Sequence, residues 1–191
     1  MLVEIIGVEV TDEQGLGPCY RVAQRTEQGI ELYLLPRSAV AADLELYDID
    51  DPLLVLDWRL HGYRGDPLPP GFIEASLHVA AQAQQAQAFA VYARAGLAEP
   101  AARSAVADVD RTRIEHEIGQ AEADVGALKA EARQLRAEEI ADIRQTVTIV
   151  DGRGLAALRA LVTADIEEIE VDRQQFREQM TPSLYAENTG A

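Results

Sequence analysis

Lysine is nearly missing from this 191-residue chain: Lys129 stands alone among 17 cationic side chains, and all the others are arginines. Against them stand 33 carboxylates, giving a formal net charge of -16. A chain this acidic with no basic tract is repelled by nucleic acid phosphates at long range, so nucleic acid is excluded as a partner. Cysteine is limited to Cys19. One thiol makes neither an internal disulfide nor a thiolate metal cluster, and within Pro18-Cys19-Tyr20-Arg21-Val22 it reads as a small buried hydrophobe. Long apolar runs are absent as well. Leu53-Leu54-Val55-Leu56 falls far short of the ~20 residues that cross a bilayer, which excludes a membrane partner. Glu4 and Glu9 sit where a signal peptide carries positive charge, so the expected location is the cytoplasm or a virion, without export.

Aromatics are scarce at 5%, although hydrophobic residues reach 48%. The second figure excludes a disordered chain, and the first leaves aliphatic side chains and alanine to build the interior. The acidity is uneven. Residues 1–70 hold 13 acids and 5 bases, which is half of the excess.

The pattern along the chain predicts an α+β protein. A small β-rich domain occupies 1–66, a Pro/Gly linker 67–71, an elongated antiparallel coiled-coil-like region of about three helices 72–180, and a polar tail 181–191. In the first part, the β-branched run from Leu2 to Val10, the segment from Cys19 to Ala23, and Ile30 to Leu35 read as three strands. Glu27-Gln28-Gly29 makes a turn and Pro36 closes the third strand. Ser38 to Asp43 forms a helical turn. The run 53–60 is strand or short helix, because periodicity does not separate the two in a short apolar stretch.

Gly65-Asp66-Pro67-Leu68-Pro69-Pro70-Gly71 stops both kinds of regular element. Beyond it, 72–97 reads as an alanine- and glutamine-rich helix with Ile73, Leu77, Ala80, Gln84, Ala88 and Val91 on one face. A second helix runs from about 100 to 145, ~70 Å at 1.5 Å per residue. Its stripe holds Ile114, Ile118, Ala121, Val125, Leu128, Ala132, Leu135, Ile140, Ile143 and Val147. The chain reverses at Asp151-Gly152-Arg153-Gly154. A third helix over 155–180 then places Leu155, Leu158, Val162, Ile166, Ile169, Phe176 and Met180 on one face. The short connection predicts an antiparallel hairpin against the second half of the long helix.

Reactive side chains are densest at Asp57-Trp58-Arg59-Leu60-His61-Gly62-Tyr63-Arg64-Gly65-Asp66, a carboxylate, a possible base and guanidiniums beside a loop. No known spacing binds them, so Trp58 and Tyr63 are expected to pack while the charges solvate an edge. His61, His78 and His116 lack the spacing of a zinc motif. Asp48, Asp50, Asp51 and Asp57 resemble a calcium loop only faintly, because Leu53 stands where glycine is needed. Ser38, Ser76, Ser104 and Ser183 lack a nucleophile elbow. The expectation is therefore no catalytic residue, cofactor or metal.

The functional expectation is a non-enzymatic structural protein that packs through long helices into a homo-oligomer or larger complex, such as a phage-like virion. Its partners are copies of itself and neighbouring subunits. The interface residues expected are Ile114, Ile118, Val125, Leu128, Leu135, Ile140, Ile143, Leu158, Val162, Ile166, Ile169 and Phe176. The alternative is an acidic regulator that binds a basic protein surface.

Overall fold

The computed structural model describes residues 1–62, 74–99 and 108–180. The linker at 67–71, the tail at 181–191, Ile73, Pro100, Ser104 and Ser183 lie outside these residues, as do Tyr63, Arg64 and Asp66. Three strands, β1 (Leu2–Glu13), β2 (Gly17–Thr26) and β3 (Gly29–Pro36), form an antiparallel meander. Gly15, Gly17 and Gly29 take positive φ at the two turns, where a side chain would strain the backbone. A two-residue strand, β4 (Thr148–Ile149), pairs parallel with the start of β1, so the sheet order is β3-β2-β1-β4.

Two short helices follow the meander. Helix α1 (Arg37–Leu46) ends on Asp48 at φ 52, with the Ile49 amide donating to the Leu44 carbonyl at 2.9 Å. This is the Schellman arrangement with aspartate in the place glycine usually takes. Helix α2 (Pro52–His61) begins with Asp51, whose side chain accepts from the Leu53 amide at 2.9 Å, and has Pro52 in its first turn. The ambiguous run 53–60 is thus helix. The acidic run is helix punctuation: Asp48 ends α1, Asp51 caps α2, and Asp50 meets Arg173 at 3.0 Å.

Helices α3 (Glu74–Ala98) and α4 (Asp108–Arg144) make the most extensive helix contact in the molecule. Ser76 bonds Glu139 while Arg94 bonds Glu122, so the two run antiparallel. The α3 face that meets α4 carries Ser76, Ala80, Ala83 and Ala90, all at most 4% exposed, and of the described residues on the face expected it shares Ala80 alone. Leu77 and Val91 of that expected face stand 46% and 38% exposed. Small side chains let the two backbones approach closely, and that gain decides the rotation where alanine gives little periodic signal.

The expected third helix is two, α5 (Arg153–Ala164) and α6 (Ile166–Met180), broken at Asp165. Neither forms the predicted hairpin with α4. Instead α5 packs on β1 and α2, and α6 packs on α1. The cause lies in β4: once Thr148 and Val150 donate to the Met1 and Val3 carbonyls, the chain re-enters at the sheet. Gly154 touches β1 so closely that an added Cβ would overlap the Ile5 carbonyl. One core results. It joins Val3, Tyr20, Val22, Leu35, Leu44, Tyr47, Leu56 and Trp58 to Ile140, Ile143, Leu158, Val162 and Ile169. The molecule is therefore α+β, with a body of sheet, α1, α2, α5, α6 and the end of α4, and an arm of α3 with the rest of α4.

Candidate functional site

Inter-element ion pairs define the most elaborate polar region. Glu45 sits on α1 one position past Leu44, close enough to the core face to be 9% exposed. A carboxylate there needs partners. Its Oε2 accepts from Arg173 Nε at 3.2 Å and Arg177 Nη2 at 2.7 Å, both from α6, four residues apart and so on one face. Lys129 Nζ, from α4, stands 3.8 Å from Oε1, beyond hydrogen-bond reach. Burial pushes the Glu45 carboxyl upward, but Arg177, Lys129 and Arg173 outweigh it and hold it below its ordinary value.

This cluster heads a groove of about 310 Å³ between α3 and α6, at the lower end of ligand-pocket sizes. Ala81, Ala88 and Val91 form one wall and Phe176 and Met180 the other, with Lys129 and Arg177 at the head. Lys129, Arg173 and Arg177 gather around Glu45, and Arg173 also meets Asp50 and Glu170, so the charges at the head of the groove balance. Glu45 and Arg177 belong to no motif of the sequence, and Lys129 stands out there only as the single lysine. The available signals were the lone lysine and the Arg173/Arg177 spacing.

A second buried network roots the arm. The Ser76 hydroxyl donates to Glu139 Oε2 at 2.7 Å and its amide to Oε1 at 3.2 Å. The Ser76 oxygen also lies 3.4 Å from the Tyr47 hydroxyl, and Arg136 Nη1 is 3.6 Å from Glu139. Burial raises the Tyr47 phenol above its ordinary value. Tyr47 meets Trp58 edge-on at 5.6 Å.

The reactive segment of α2 is dispersed. Asp57 pairs with His61 Nδ1 at 3.4 Å and with Arg144 of α4. Arg59 points the other way, forking onto Asp43 at 2.7 and 2.8 Å and onto the Ala39 carbonyl at 3.2 Å. Positions 57 and 61 share a helix face and 59 does not. Cys19 is buried, and burial, Glu13 and Asp12 raise its thiol, disfavouring the thiolate. His78 and His116 are exposed.

Of the expected interface residues, Ile118, Ile140, Ile143, Leu158, Val162 and Ile169 are buried within this chain. Ile114, Val125, Leu128, Leu135 and Phe176 are half-buried. Ile166 is 46% exposed, because the break at Asp165 turns it off the stripe. The Asp165 carboxylate accepts from the Tyr20 hydroxyl at 3.0 Å, which ties the break to the sheet. Among the described residues, no helix is long and apolar enough to cross a membrane. Comparison with protein-family models, with curated proteins and with solved structures finds no match.

Proposed function

We propose that this chain is a non-enzymatic assembly protein whose α3–α4 arm joins copies of itself into a homo-oligomer or larger complex. The arm carries this reading. The contacts of α4 with the core begin at Ala132, and the preceding stretch of the helix extends about 35 Å. Along that length two helices meet through alanines and leave Phe89 46% exposed, with Leu77 equally exposed nearer the body. Phe89 does not line the groove that α6 makes with α3, and helices of other copies cover such side chains in bundles. Light scattering across a range of concentrations tests this. The native chain is expected to exceed its 20.9 kDa monomer mass, and Phe89→Asp to lower the assembly order. A mass distribution unchanged by that substitution overturns the arm reading.

A further inference from the structure

We infer that β3 is a second, separate self-association site, pairing antiparallel with β3 of another copy about a twofold axis centred on Leu32. Strand β3 is the outer member of the order β3-β2-β1-β4, and no strand lies on its far side among the described residues. It runs eight residues, Gly29–Pro36, with proline only at its last position. Edge strands are normally blunted by charged side chains, internal proline or a bulge. This one has no lysine, internal proline or bulge and a single charge, Glu31, and the sheet's register shift lies in β1, between Ile5 and Gly7.

The side chains fit the same partner. Tyr20 pairs with Leu35 and Val22 with Tyr33 on the face turned to the core, so Ile30, Leu32 and Leu34 share the outer face. Ile30 and Leu32 are 67% and 70% exposed, the most exposed large hydrophobic residues described. The only charge in the strand, Glu31, accepts from Gln24 at 3.1 Å on the core side. The outer face of β3 is thus uncharged, and the arginines beside it are neutralised, Arg25 by Glu4 and Arg21 by Glu9 and Glu13. Two chains of charge -16 repel, so contact favours the edge where that charge is least.

Faces are conserved across an antiparallel pair only when the paired residue numbers sum to an even value. Centring the axis on Leu32 sets Leu32 against its own copy and Ile30 against Leu34 of the other chain, a continuous stripe of six aliphatic side chains. Glu31 then falls opposite Tyr33, not opposite a second Glu31. Centring on Tyr33 would instead set Ile30 against Pro36 and leave the stripe incomplete. The contact is isologous and closes at two copies.

Single-cysteine cross-linking reads the register, because Cys19 is buried. At the twofold centre, opposed Cα atoms lie roughly 4.5–5.5 Å apart, within disulfide reach. Oxidised Leu32→Cys is expected to trap disulfide dimer at least about fivefold above Leu54→Cys, whose side chain is exposed on α2. Leu34→Cys alone is expected to trap none, since its copies stand about four residues apart along the strands, ~13 Å. Mixing Ile30→Cys with Leu34→Cys is expected to restore the link. No excess at position 32, or a dimer at 34 without one at 32, overturns the proposal. Circular dichroism melting of each variant confirms the native fold, and Phe89→Asp added to Leu32→Cys leaves the link intact, which separates this site from the arm.

Discussion

In the body, Tyr20, Leu35, Leu44, Tyr47, Leu56 and Leu60 are each at most 2% exposed. In the arm beyond Ala80 and before Ala132, the buried side chains among the described residues are Ala83, Ala90 and Ile118. Burial at about 25 cal/mol per Å² gives a leucine or tyrosine far more than an alanine, so the body is stabilised by area and the arm by closeness of approach. The ion pairs divide similarly. Those of the body, such as Arg37 with Asp172 at 2.7 Å, bridge distant elements and are mostly shielded, whereas Arg94 with Glu122 lies open on the arm. The lesson is that one chain uses large side chains where it closes a core and mostly small ones where two helices lie side by side.

The contrast can be broken from either side. Trp58→Ala removes an aromatic anchor of the body and is expected to cost about 4 kcal/mol in urea unfolding, near the middle of the range for such truncations. Glu139→Ala strikes the root of the arm, leaving Ser76 and the buried Arg136 without their carboxylate. A loss of about 3 kcal/mol is expected, with increased amide exchange in α3 above that in β2. Acid comes next. Because the folded Glu45 carboxyl lies below its ordinary value of 4.5, its stabilisation is complete at neutral pH and falls away as pH drops below that value toward the lowered one. Near-UV dichroism or exchange in α6 is expected to report this before global unfolding, and Glu45→Gln to remove the pH step. Arg94→Ala is expected to leave the melting temperature unchanged, since that pair is an exposed one on the surface of the arm.

The strands were legible because β-branched runs, a turn at Glu27-Gln28-Gly29 and a closing Pro36 all agree. The long helix was legible from its isoleucine and leucine stripe. Three things were hidden. The buried face of α3 is made of serine and alanine, which carry almost no periodic signal, so the larger Leu77 and Val91 drew attention to a face that stays open. The destination of α5 and α6 was hidden because a short connection favours neighbouring helices, while the parallel pairing of two residues at β4 overrides it. Even so, the break had a mark: Asp165 with Glu168 three residues on has the spacing of a capping box. The groove at Glu45 was not legible, since its charges come from positions 45, 129, 173 and 177, brought together only by packing.

Lys129 bears the only side-chain amine in the chain and is 12% exposed, at the head of that groove. Acylating or reductively methylating reagents therefore meet one slow, sheltered ε-amine where most proteins offer many. The rate at which it reacts becomes a chemical clock for the opening of α6 away from α3. Reductive ¹³C-methylation there gives one resonance besides that of the Met1 α-amine, and it reports on the groove.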